Sequence, residues 1–186
     1  MNAQRSPEHP TLSLVPDVLS VDECAALIEE SEAMGYGLAP ITTGLGPRLV
    51  PDVRNNTRVM LDDPDRAEAM WERMRAHAPP RFGRWRAVGL NERWRFYRYA
   101  PGQRFAWHHD GSFWRSGRER SLLSLLFYLN DDFLGGETRF EHQSAVVVPR
   151  RGTALLFEHP LLHEGSRVRT GTKYVLRTDV MYRMER

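Results

Sequence analysis

Trp94-Arg95-Phe96-Tyr97-Arg98-Tyr99 and, beyond Ala100-Pro101-Gly102-Gln103, Arg104-Phe105-Ala106-Trp107-His108-His109-Asp110 form two short apolar or alternating runs broken by a Pro-Gly pair. They open a series. Leu122–Asn130, Thr138–Phe140, Ala145–Val148, Thr153–Glu158 and Tyr174–Tyr182 have the same texture, separated by Gly, Pro and Asn. Strands at such close spacing predict a sandwich or barrel.

Upstream the texture is helical. Ser20-x-x-Glu23 is a capping box, Cys24, Leu27, Ile28 and Ser31 follow at helical spacing, and Gly35 is placed to end the helix. Asp63-Pro64 opens a second helix with Ala67, Met70, Trp71 and Met74 on one face, and Pro79-Pro80 is expected to stop it. Residues 36–58 read as irregular, with one or two short strands. Two helices followed by many strands predict an α+β, mainly β chain: a double-stranded β-helix (jelly-roll) core with N-terminal helices packed on one sheet. The expected organisation is one domain over 1–186, made of a loose tail (1–12), a helical N-terminal part (13–86) and the jelly-roll core (87–186).

Composition narrows the partners. Lys and Arg total 26 against 24 acidic residues, a formal net charge of +2, with no block of five like charges, so nothing calls for a nucleic acid. Met1 to His9 is polar, and no stretch approaches the ~18 apolar residues of a membrane span. The single cysteine, Cys24, permits no intramolecular disulfide and suits a reducing, cytoplasmic compartment. Oligomeric state is left open.

On a strand, His108 and Asp110 point to one side and His109 to the other. An imidazole and a carboxylate so arranged can take adjacent positions on one metal. A salt-bridged surface strand would look the same. A third ligand is available downstream, where Pro149-Arg150-Arg151-Gly152 runs through Phe157 to His159 and then His163-Glu164-Gly165. His163 is preferred to His159, after which Pro160 bends the chain. Two histidines and one carboxylate with open positions are the facial arrangement of non-haem Fe(II) oxygenases. A structural zinc site closes four positions, usually with cysteine. Further on, Lys173 and Arg177 share one face of a strand. A cation facing into a barrel needs an anion, because burying it unpaired costs several kcal/mol. A dicarboxylate co-substrate would supply that anion; so, for Arg177, would a core carboxylate such as Asp179.

With Tyr99-Ala100-Pro101-Gly102 leading to His108-x-Asp110, then Phe127-Tyr128-Leu129-Asn130, Gly135-Gly136-Glu137-Thr138-x-Phe140, Pro149-x-x-Gly152, His163 and Lys173, the chain resembles the prolyl 4-hydroxylase-like branch of the Fe(II)/2-oxoglutarate dioxygenases over residues 88–182. The resemblance implies a jelly-roll with iron on His108, Asp110 and His163. It implies that Lys173 grips the distal carboxylate of 2-oxoglutarate, that Tyr128 hydrogen-bonds the same carboxylate and that Tyr99 lines the pocket, with Arg177 the rival anchor. The implied reaction consumes O2 and 2-oxoglutarate, releases succinate and CO2, and hydroxylates an unactivated C–H of a small molecule, amino acid or peptidyl substrate, with ascorbate as an optional reductant. No general base is needed. Fold and co-substrate do not fix the substrate. Repair of alkylated nucleobases fits less well, since Lys173 stands where that branch has an arginine-rich tail. The alternative is a catalytically inactive metal- or 2-oxoglutarate-binding module, which a pocket blocked by a large side chain would favour.

Substrate contacts are expected at the mouth of the barrel. Arg58, Arg95 and Asn55 are the candidates. The two arginines would suit an anionic small molecule unless Glu92, Asp52 or Asp62 neutralises them.

Overall fold

The computed structural model describes residues 11–185 except 45, 142 and 143, and only the backbone of 42 and 43. His142 lies outside the described residues, as does the expected tail up to residue 10. Helix α1 (Val21–Met34) begins at the capping box: Ser20 Oγ accepts the Glu23 N–H at 3.1 Å, and the Glu23 carboxylate accepts the Ser20 N–H at 2.8 Å. Gly35, at φ 79°, closes it. Helix α2 (Pro64–Met74) is capped by Asp63, whose Oδ1 accepts the Arg66 N–H. It ends short of the expected Pro79-Pro80, because the chain tightens into turns in which the N–H groups of His77 and Ala78 both bond Met74 O.

The strands preceding the barrel are β1 (Leu12–Val15), β2 (Gly37–Leu38), β3 (Ile41–Thr43), β4 (Gly46–Arg48), β5 (Thr57–Asp62) and β6 (Arg81–Phe82). Next come β7 (Trp85–Leu90), β8 (Arg93–Tyr99), β9 (Phe105–His108), β10 (Trp114–Ser116), β11 (Glu119–Tyr128) and β12 (Leu134–Gly135). The chain finishes with β13 (Thr138–Phe140), β14 (Ala145–Val147), β15 (Ala154–Glu158), β16 (His163–Gly165), β17 (Val168–Thr170) and β18 (Lys173–Met184). A major antiparallel sheet runs β1-β15-β11-β18-β8-β5-β2, with β7 and β10 also pairing to it, and a minor sheet runs β14-β13-β16-β9. These are the two sheets of a jelly-roll.

The N-terminal part is therefore not simply helical. Leu12, expected in the tail, pairs with Phe157, and β5 pairs with β8 along its length. Neither segment has a strong period of its own. Their strand character comes from distant partners that offer unpaired backbone groups.

Both faces of the major sheet are covered. Phe96, Leu123, Leu125, Phe127, Leu176 and Val180 pack on one side against Cys24, Ala67, Met70 and Met74 of the two helices. The alternate residues, among them Tyr97, Tyr99, Tyr128, Phe157 and Val175, face the minor sheet's Phe140 and Val147. The site opens on that inner side.

Gly152 ties the helical layer to the barrel. Its N–H donates to Tyr128 O, and its carbonyl accepts from both Val18 and Leu19. At φ +78° it occupies the left-handed region, and a Cβ there would meet Leu19 O at 2.3 Å. Gly152→Ala should therefore lower unfolding free energy by about 2 kcal/mol or more. Urea denaturation checks this; a midpoint equal to wild type would refute the close-approach role.

Candidate active site

Strands β9 and β16 pair with His163 directly opposite His108. Cross-strand partners on one face lie within side-chain reach, and here the two imidazole centroids are 4.2 Å apart. Each ring is held by a carbonyl two residues before it: His108 Nδ1 bonds Ala106 O and His163 Nδ1 bonds Leu161 O, both at 2.8 Å. A carbonyl at Nδ1 fixes the tautomer, so Nε2 carries the free lone pair. Phe105 stacks on His108 at 3.5 Å, and Phe157 meets His163 edge-on.

Asp110 completes the triad just beyond the end of β9. One carboxylate oxygen lies 3.7 Å from His108 Nε2 and the other 3.7 Å from His163 Nε2. All three ligand atoms fall within 4.8 Å of one another. His109, past the end of β9, is not part of the cluster; its ring is exposed, with Nδ1 at Pro160 O. His159 does not compete. It is buried between Ser121 and Ser124, at 2.8 and 3.0 Å from their hydroxyls.

Electrostatics keep the three groups ready for a cation. Burial would raise the Asp110 carboxyl, but Arg177 and the two histidines outweigh it, helped by a 2.5 Å hydrogen bond from Ser124, and hold it well below the usual range. Burial, and then His163, pushes His108 down to about 3; burial also lowers His163. Two neutral imidazoles and one carboxylate, with one side open to a cavity, form a donor set that fits a divalent iron ion.

That inner cavity is lined by the triad, Tyr97, Tyr99, Phe105, Thr138 and Lys173. Lys173 is 3% exposed. Its Nζ donates to Gly136 O at 2.6 Å and lies over the rings of Tyr99 and Tyr128. Among the described residues no carboxylate lies within salt-bridge distance of it, and burial pulls it down to about 7, opposed weakly by Glu137. Tyr99 is its cross-strand partner. Tyr128 OH bonds Thr138 Oγ1 at 2.7 Å. Arg177 shares the cavity wall but is engaged: it donates to Asp110 at 2.7 Å and to Asp179 at 3.1 Å.

A second, outer cavity meets the first at Tyr97, Phe105, His108, Asp110 and Arg177. Arg58 and Arg95 line it; Asn55 lines neither cavity. The Asn55 amide oxygen accepts the Arg104 N–H instead, fixing the loop to the start of β9. Arg95 is neutralised by Asp179, which was not among the expected partners; Asp62 pairs with Arg93 and Glu92 with Arg115. Arg54 was overlooked. It is buried beside Arg58, and nothing in its sequence context marks it apart from neighbouring surface arginines. Ser124 and Gly136 were also missed as site residues, although the Gly135-Gly136 pair stood out as a motif.

Residues 94–178, which hold the triad, Lys173 and Arg177, match the 2OG-Fe(II) oxygenase superfamily. That stretch is just under half of the chain, and it carries the similarity to the superfamily. A relative named "Putative prolyl 4-hydroxylase", from Acanthamoeba polyphaga mimivirus, is 33% identical over 97 residues, covering 42% of this chain; the chain spans 40% of that relative's length. In fold it is similar to the viral collagen prolyl hydroxylase of Paramecium Bursaria Chlorella virus-1 in its 2OG complex: TM-score 0.64, 20% identity, 93% of this chain and 96% of that one. It is similar also to a prolyl hydroxylase from Trichoplax adhaerens in complex with a hypoxia inducible factor oxygen degradation domain peptide fragment: TM-score 0.69, 16% identity, 91% and 82% covered.

Asp110→Ala should abolish Fe(II) binding in an anaerobic titration, whereas His109→Ala should bind as wild type. Equal losses from His108→Ala and His109→Ala would refute the assignment.

Proposed function

We propose that the protein is an Fe(II)- and 2-oxoglutarate-dependent dioxygenase that hydroxylates an unactivated C–H of a small molecule, amino acid or peptidyl substrate. A cytoplasmic setting belongs to the same reading, supported by the buried free thiol of Cys24. The observation that carries the function is that a His-Asp-His cluster and a buried lysine with no carboxylate in salt-bridge distance line one cavity. Among the described residues no helix is long and apolar enough to cross a membrane.

His108, Asp110 and His163 would hold the iron through Nε2, a carboxylate oxygen and Nε2. Bound together, Fe(II) and 2-oxoglutarate supply the oxidising chemistry, in which O2 is consumed, succinate and CO2 leave and one oxygen enters the substrate C–H. The chain's own contribution is placement. Lys173 binds the distal carboxylate as its counter-ion, and the Tyr99 and Tyr128 rings shield that pair from water. Arg177 and Ser124 keep Asp110 charged and oriented. The aromatic walls Phe105, Phe157 and Phe140 exclude solvent around the histidines.

One prolyl hydroxylase neighbour is described with a peptide bound, so peptides belong in the substrate screen beside small molecules. The decisive experiment is anaerobic Fe(II) and 2-oxoglutarate binding, followed by succinate release across a metabolite and peptide screen. Protein that binds neither would overturn the reading.

Removing one partner of a buried ion pair costs about 3–5 kcal/mol, so Lys173→Ala should weaken 2-oxoglutarate roughly a hundred- to a few thousand-fold while retaining Fe(II). Calorimetry checks this; unchanged affinity would point to Arg177 as the anchor. Since Lys173 sits at about 7 without ligand and a bound carboxylate raises it, binding above that pH takes up a proton. Affinity should then fall as pH rises from 7 to 9. Heats that do not depend on the buffer's ionisation enthalpy would refute the coupling.

A further inference from the structure

The outer cavity carries more positive charge than its surroundings neutralise. Arg54, Arg58, Arg95 and Arg177 line it together with one carboxylate, Asp110. Asp110 is matched to Arg177, and Asp179, behind the wall, is shared between Arg177 and Arg95. Arg54 and Arg58 are left over. Arg54 is 6% exposed; its Nε donates to Asn56 Oδ1 at 2.7 Å, but its Nη2 is buried with no partner. Few buried side-chain nitrogens among the described residues are so placed, and a second one, Arg177 Nε, belongs to this same lining. The groups that act on Arg58 are Tyr97, Arg54 and Arg95: burial lowers its pKa, Tyr97, its hydrogen-bond partner, opposes that, and the two neighbouring cations add to the lowering.

A buried donor without an acceptor is costly, and two desolvated neighbouring cations more so. Such an arrangement persists where a ligand completes it. The Arg54 guanidinium lies over Tyr97 at 4.6 Å and over Phe105 at 4.3 Å, and Phe105 in turn stacks on His108. The guanidinium is thus held rigidly, one aromatic ring from a metal ligand. Planar forks of this kind recognise carboxylate or phosphate oxygens through paired N–H donors.

We propose that Arg54 and Arg58 form an oxyanion clamp in the outer cavity, and that the substrate is a small molecule whose carboxylate or phosphate seats there with a nearby C–H turned toward the triad. This rests on the dioxygenase reading for its chemistry but not for its binding. Two anion sites then flank the metal: Lys173 on the inner side for the co-substrate, and the clamp on the outer side. Arg95 and Arg177, already paired, shape the wall.

The test uses full-length, metal-free protein and inorganic sulfate as the probe, followed by calorimetry and NMR chemical shifts. Wild type should show two sulfate sites. Arg58→Met should weaken the outer one roughly tenfold or more, the scale of a lost charge-assisted hydrogen bond, and leave the inner one. Lys173→Met should do the reverse. Arg54→Lys, which keeps the charge but not the fork, should weaken the outer site while the fold is retained. Outer-site affinity unchanged in both arginine variants would overturn the clamp, whatever 2-oxoglutarate does. Conversely, a protein that fails to bind 2-oxoglutarate yet keeps an Arg58-dependent sulfate site would sink the dioxygenase reading and leave the clamp standing. In the loaded enzyme, carboxylic acids should drive succinate release better than their amides, or phosphomonoesters better than their alcohols, which separates the two oxyanions. Equal turnover of acids and amides, and of esters and alcohols, or turnover of uncharged peptides alone, would overturn the substrate class.

Discussion

The Asp110 carboxylate, 5% exposed inside a barrel, must stay ionised if it is to bind a cation, and much of the inner face is organised around that requirement. Burial alone would neutralise it. Arg177 supplies the opposing charge at 2.7 Å and Ser124 a short hydrogen bond, and His159 bonds Ser124 in turn. Arg177 needs its own balance, which Asp179 and then Arg95 provide. The chain of contacts runs from the end of β9 through β11 and β18 to β8. The carboxylate of the proposed metal site therefore also joins the minor sheet to the major one.

The polar inner face is tolerable because the other face does the hydrophobic work. Along β18, Leu176 and Val180 pack under the helices, while Lys173, Val175, Arg177 and Asp179 look inward; along β11, Leu123, Leu125 and Phe127 pack outward, and Ser124 and Tyr128 inward. Alternation with period two separates stability from chemistry residue by residue. It also explains how a lysine can be left with a carbonyl as its nearest partner. Gly136 brings that carbonyl to 2.6 Å, and a Cβ at this glycine would crowd the lysine stem at 3.1 Å.

The two cavities meet at the triad but differ in what they lack. The inner one holds a single buried cation among tyrosines; the outer holds arginines in excess of carboxylates. Both are complementary to anions.

The residues alone determined a good deal. The capping box at Ser20, Asp63-Pro64 and the alternating runs from Trp94 onward specify their elements locally, because caps and periods act over a few residues. His108-x-Asp110 could be read as one side of a metal site for the same reason. Other features waited for tertiary structure. Leu12–Val15 and Thr57–Asp62 are strands because β15 and β8 offer them backbone partners, and no local period announces that. The convergence of His163 on His108 depends on the register of β9 with β16, the availability of Lys173 on the absence of a nearby carboxylate, and the engagement of Arg177 and Arg95 on Asp179 lying between them. Arg54 is one arginine among many in the chain. Only folding, which buries its guanidinium against Tyr97 and Phe105 and leaves one nitrogen without an acceptor, distinguishes it from the arginines that face water.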